Sequence, residues 1–257
     1  INKIALTTMG DISWPEHLTI FTIPMRIALQ FGIKLVFWGE NPEHEYGGPE
    51  EFANSFFKKT RRWMEEFSGM QGMRVSDLIG QDGITKRDLI QYTYPDVDEL
   101  EDAGVLGVYL GMFFPWGGTS NAWIAKAYGF ETLGKATEGS CVDYENIDNY
   151  QTGIHDYFMW LKYGFCRTTY HVCLQIRRGT LSRKMGLDIV RRLDGKFPWT
   201  YLGKPIEEIV GSMGMTMDEF IAVCDQFTNK SLFKTDRQGN LVKDLQGNLI
   251  RLQYDNV

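Results

Sequence analysis

Ile33 to Trp38 is a short apolar run containing β-branched residues, entered through Gly32 and left at once through Gly39-Glu40-Asn41-Pro42. Upstream, Ser13-Trp14-Pro15-Glu16 has the form of a capping box with proline in the first turn. It predicts a helix to Phe31, with apolar residues at Ile20, Phe21, Ile27, Ala28 and Phe31 and a kink at Pro24. Helix, brief turn, apolar strand and glycine loop is the order of elements in a parallel α/β sheet. A second such strand is expected over Val105 to Phe114, followed by a helix from about Ser120 to Tyr128. Between the strands, Glu50 to Phe67 reads as helical, and Thr85-x-x-Asp88 as the cap of another helix.

After about residue 135 the pattern turns helical. Thr152 to Tyr163 is an aromatic helix, Ser182 starts another that stops at Gly195, and Thr216-Met217-Asp218-Glu219 caps a third. In the tail, Arg237-Gln238-Gly239-Asn240-Leu241 is echoed by Leu245-Gln246-Gly247-Asn248-Leu249, which predicts a small hairpin or a mobile end. The expected division is an α/β part at 1–135, a helical substrate-binding part at 136–230 and a tail at 231–257. Ile1 to Leu6 reads like the interior of a helix, so the chain is expected to continue upstream.

Composition narrows the classes. With 43% apolar residues, 14% aromatics and 257 residues, the chain has enough for a substantial core, which argues against disorder and a disulfide-dense module. Cys141, Cys166, Cys173 and Cys224 form no C-x-x-C pair, so free thiols in a reducing cytoplasm are expected. His171-x-Cys173 offers two metal ligands with no partners nearby, and no metal site is assigned. Ala103 to Ala125 carries no charge, but its dense apolar part is too short to span a bilayer.

Three constellations carry chemistry. Residues 40 to 51 hold five carboxylates and no Lys or Arg, at the strand end where ligands of open α/β sheets bind. Such acid density suits magnesium, an amine nucleophile or general-base work. The second, Tyr144 to Tyr157, crowds Asp148, Gln151, Thr152, His155 and Asp156 into a loop and the start of a helix, where free N–H groups favour an anion. The third is a belt of nine cations between Lys162 and Lys196 against Asp188 and Asp194, within a protein of net charge −6. This asymmetry predicts a small phosphorylated ligand, with Arg167, Arg177 and Arg178 the better candidates. Arg183, Lys184, Arg191 and Arg192 are expected on a solvated helix face. Asp96 to Asp102 reads as an acidic helix start, and Asp11 and His17 flank the first capped turn.

These segments in this order resemble the N-acetyl sugar amidotransferases of the PP-loop ATP-pyrophosphatase superfamily. The matching stretches are Gly10 to Trp14 with His17, Trp38 to Pro42 through Tyr46-Gly47, Tyr144-Glu145-Asn146 with Asp148-Asn149, Gln151 to Phe158, Leu161 to Phe165, and Ile176 to Gly179. The resemblance implies a parallel-sheet PP-loop (HUP-like) ATP-pyrophosphatase domain, present in part, followed by a mainly helical C-terminal part. It implies an ATP- and Mg2+-dependent C–N ligase that converts the acetamido group of a nucleotide-activated sugar to an acetamidino group. The ammonia would come from a glutaminase partner, and the setting would be O-antigen or flagellar glycan biosynthesis.

In that scheme Glu40 orients or deprotonates ammonia, and Asn41 and Glu43 lie near the nucleotide or magnesium. His155 and Asp156 act on the sugar amide, and Asp11, His17, Tyr46, Asp148, Gln151, Thr152, Arg167, Arg177 and Arg178 hold the substrate. The Ser-Gly-Gly-x-Asp-Ser loop of that family occurs nowhere in the 257 residues, nor does its N-terminal cysteine-rich segment. The chain is therefore expected to be either the C-terminal two-thirds of a longer enzyme or a member without ATP chemistry. In the latter case it would be a subunit that binds a nucleotide sugar or docks a glutaminase. A thiolation enzyme acting on RNA fits less well, because the basic patch is modest and no cysteine nucleophile stands out.

Overall fold

A computed structural model describes residues 1–39, 72–114 and 117–252. The described chain divides into two units: Trp14–Tyr128, and Asn2–Ser13 with Gly129–Val257. The N-terminal helix thus belongs with the second unit, whereas the sequence reading grouped it with the α/β part. The boundary falls at 128/129 rather than at 135/136.

In the first unit, α2 (Trp14–Phe31) runs through Pro24 and leads by Gly32 into β1 (Leu35–Trp38). β2 (Leu106–Tyr109) pairs with β1 in parallel, Val36 opposite Gly107 and Trp38 opposite Tyr109. The expected parallel sheet is present here as two four-residue strands. The second apolar run leaves the strand early, turning into a 3-10 turn at Leu110–Met112. Parallel pairing is common to many α/β folds and does not by itself define a PP-loop domain.

Phe21, Met25, Trp38, Leu100 and Tyr109 form the core of this unit. Gly107 is required in it, because a Cβ there would stand 2.1 Å from the Trp38 ring. Leu35 and Phe37, on alternate positions of β1, are exposed, whereas Trp38 is buried in the core.

Between Gly72 and Asp96 the chain makes short 3-10 turns instead of the expected helix. Asp88 does accept from the N–H and hydroxyl of Thr85, 2.9 and 2.6 Å, but the cap closes a turn that does not propagate. The acidic run is α3 (Val97–Asp102), with Asp96 accepting from the Asp98 N–H, and its carboxylates face solvent. α4 (Gly118–Ala127) follows β2. The expected helix at Glu50–Phe67 lies outside the described residues.

The second unit is built around α5 (Thr152–Tyr163), buried along almost its whole length. Leu6 of α1 (Asn2–Met9) and Ile12 enter its core with Ile154, Phe158 and Leu161. α6 (Arg167–Arg177) and α7 (Arg183–Leu193) form a helical hairpin. Gly186 lets the two approach, since a Cβ there would meet Val172 and Ile176 at 2.6 and 2.8 Å. A two-residue antiparallel pair, β3 (Thr200–Tyr201) with β4 (Lys204–Pro205), leads into α8 (Ile206–Gly211) and α9 (Met217–Phe227). The Thr216/Glu219 capping box is formed as expected.

The described tail is anchored rather than mobile. Phe233 and Leu249 join the core, and the Asn248 side chain accepts from the Phe197 N–H at 2.8 Å. Its two repeats make the same turn: Asp236 and Asp244 each accept from the backbone N–H groups two and four residues on.

Candidate functional site

Two acid–base pairs meet at the start of α5. The chain leaving α1 carries Asp11, which is 3% exposed and accepts from the Ser13 N–H at 3.0 Å. The same Asp11 oxygen lies 3.1 Å from His155 Nδ1. The adjacent residue, Asp156, receives Arg167 through two nitrogens, Nη2 to Oδ1 at 3.1 Å and Nε to Oδ2 at 3.4 Å. Both members of this pair are about nine-tenths buried. Two-point contact with a planar guanidinium fixes the Asp156 carboxylate as well as neutralising it.

α1 is held to this site by polar bonds as well as by Leu6. Asn2 Nδ2 donates to Gln151 Oε1 at 2.8 Å and to the Ile12 carbonyl at 3.0 Å, and Lys162 Nζ donates to the Met9 carbonyl at 2.8 Å. The loop before α5 is closed by Asn149, whose side chain accepts from the Gln151 N–H.

Burial disfavours a charged imidazole at His155. The Asp11 hydrogen bond and charge, helped by Asp156 and opposed by Arg167, outweigh it and raise the pKa. Burial lowers the Lys162 pKa, and Asp11 resists that shift. A second histidine, His171 of α6, has Nε2 at 3.0 Å from Glu145 Oε2, within ion-pair distance but not aligned as a hydrogen bond.

Beside Asp156 is an enclosed cavity of about 30 Å3, lined among others by Glu138, Tyr157, Cys166 and Lys196. That volume suits one or two waters or the tip of a ligand group. Cys166 is no nucleophile. Burial, with Asp194 and Asp156 nearby, pushes its pKa well above the ordinary thiol value, and its S–H donates to Asp194.

The structure thus brings together Asp11, Gln151, Thr152, His155, Asp156 and Arg167 of the expected site residues. Asp148 is exposed in the preceding loop. Arg177 and Arg178 sit at the far end of α6, ten residues or about 15 Å along the helix from Arg167. The cationic belt is therefore two features: one buried arginine in the site, and an exposed set on the α6–α7 hairpin. His17 lies in α2 of the first unit. Glu40, Asn41, Glu43 and Tyr46 lie outside the described residues.

Lys162, Glu145 and His171 were not picked out as site residues. Only the Lys162 to Met9 and His171 to Glu145 contacts, across long stretches of sequence, reveal them. Among the described residues no three His, Cys, Asp or Glu side chains converge as a metal site. No helix among them is long and apolar enough to cross a membrane.

The class defined so far is an α/β unit joined to a helical unit that holds a buried His/Asp/Arg site. Residues 138–246, the part of the helical unit from the loop before α5 to the second tail turn, match the family model of the WbpG-like C-terminal domain, named for lipopolysaccharide biosynthesis. The match includes His155, Asp156 and Arg167 and omits Asp11. No curated protein matches the chain.

Proposed function

We propose that the helical unit is the substrate-holding part of an amidotransferase of surface polysaccharide biosynthesis. It would act on the acetamido group of a nucleotide-activated sugar and yield an acetamidino group. The observation that carries this reading is the pairing of His155 with Asp11 beside Asp156 with Arg167, where His155, Asp156 and Arg167 lie inside a region similar to a lipopolysaccharide-biosynthesis domain.

Asp11 fixes the tautomer and orientation of His155, the usual way a carboxylate prepares an imidazole for proton transfer. Arg167 holds the Asp156 carboxylate in place, where it would accept from a sugar hydroxyl or amide N–H. ATP, when bound, would adenylate the acetamido oxygen with release of pyrophosphate, so that ammonia could add at the amide carbon and AMP leave with that oxygen. The residues proposed for that step and for ammonia, Asn41, Glu43 and Glu40, belong to the acidic loop. A glutaminase partner, a cytoplasmic setting and a homo-oligomer complete the proposal.

His155→Gln in an active assembly is expected to lower amidine formation, followed by mass spectrometry, by about 100-fold or more. Unchanged turnover removes His155 from the mechanism. A second reading, a subunit that binds the nucleotide sugar without ATP chemistry, is favoured by the placing of both the family match and most of the buried site in the helical unit. Calorimetric titration with ATP and with a panel of nucleotide-activated N-acetyl sugars separates the two. Binding of both supports the enzyme, binding of sugar alone the subunit, and binding of neither overturns both.

A further inference from the structure

The outward face of α7 carries charge that nothing in the buried site uses. Gly186, Ile189, Val190 and Leu193 turn toward the protein, while Arg183, Lys184, Met185, Leu187, Asp188, Arg191 and Arg192 are exposed. At 100° per residue those seven positions span about 200° of the helix surface. Leu187 lies between Arg183 and Arg191 on this face, and Met185 lies at its edge beside Arg192. Both apolar side chains are open to water, Met185 at 59% and Leu187 at 39%. The single carboxylate, Asp188, reaches Arg191 only at 3.5 Å with both groups largely solvated, a pair worth little. Arg177 and Arg178, at the end of α6 just before this helix, are exposed as well.

The geometry points to an anionic phospholipid bilayer as the occupant of this face, bound at its surface without insertion of a spanning segment. Four cations spread over one exposed helix face match a continuous sheet of phosphates better than one small anion in a pocket. Leu187 and Met185 in the same strip find an apolar partner at the headgroup–acyl boundary. The face carries no aromatic residue on which a base would stack, which disfavours single-stranded RNA as the occupant. Within a chain of net charge −6, this face is a local excess of positive charge. This inference concerns where the protein works and is independent of the reaction proposed for the buried site.

Co-sedimentation of the full chain with phosphatidylethanolamine vesicles, with and without phosphatidylglycerol, tests it. Binding is expected only with phosphatidylglycerol and should weaken steeply as salt is raised. Replacing all four cations (Arg183→Glu, Lys184→Glu, Arg191→Glu and Arg192→Glu) should lower the apparent affinity on the order of tenfold or more. Circular dichroism should show the fold unchanged, because all four side chains are exposed. Leu187→Ser should weaken binding a few-fold and reduce the fraction that survives high salt. Absence of vesicle binding at low salt, equal binding by the four-fold variant, or binding of an RNA oligonucleotide but not of vesicles each overturns the proposal.

Discussion

At His155 the local chemistry sets a pH dependence with a definite sign. Its folded pKa lies above the unfolded value of about 6.5, because Asp11 and Asp156 favour the imidazolium more than burial opposes it. The stabilisation is therefore complete below about pH 6.5 and is lost as pH rises through the folded pKa. Urea unfolding of wild type should show a midpoint that falls over that alkaline window. Asp11→Asn should flatten the fall, and an NMR titration should show the His155 pKa moving down. An unmoved His155 pKa in Asp11→Asn would mean that the 3.1 Å pair is not coupled in solution. Asp11 and His155 were each legible as chemically suited residues, but their pairing was not. They stand 144 positions apart, and only the packing of α1 on α5 makes them neighbours.

Elements were legible where their signals are local. The capped starts of α7 and α9 and the Gly164 stop of α5 are sequence-near devices, and all three helices appear where expected. α6 was not anticipated, because its N-cap residue, Cys166, caps nothing with its own side chain. The cap comes from Asp194, 28 residues on, which accepts from the Cys166 N–H at 3.0 Å and from the Thr169 hydroxyl. Asp194→Ala should thus cost about 1–3 kcal/mol, the loss of a buried charged acceptor, measured as a lower urea midpoint with an unchanged slope. A cost under 0.5 kcal/mol would assign the start of α6 to packing alone. The opposite failure occurred at Thr85-x-x-Asp88, where the cap is formed and Leu89 is buried, but only the short 3-10 turn Ile90–Tyr92 follows before Pro95.

At the scale of the molecule, each unit has its own core, and that separation carries a prediction. Among the described residues, Phe21, Met25, Trp38, Leu100 and Tyr109 cluster in the α/β unit, and a separate apolar cluster surrounds α5 in the helical one. Gly107→Ala puts a methyl into the Trp38 ring, so it should speed hydrogen exchange in α2, β1 and β2. Exchange at Ile154 to Leu161 should be unchanged. Equal loss of protection in both units would show that they unfold as one.

The alternation of apolar runs, glycines and caps determined by itself that a parallel strand pair precedes a helical region, because those signals act over a few residues. It also determined which residues could do chemistry. Tertiary structure alone decided that α1 joins the helical unit and that Arg167 parts from Arg177 and Arg178. It also turned Asp11, His155, Asp156 and Arg167 into one site. Those outcomes depend on which buried surfaces meet and on whether each buried charge finds a partner, and neither is encoded within any one segment.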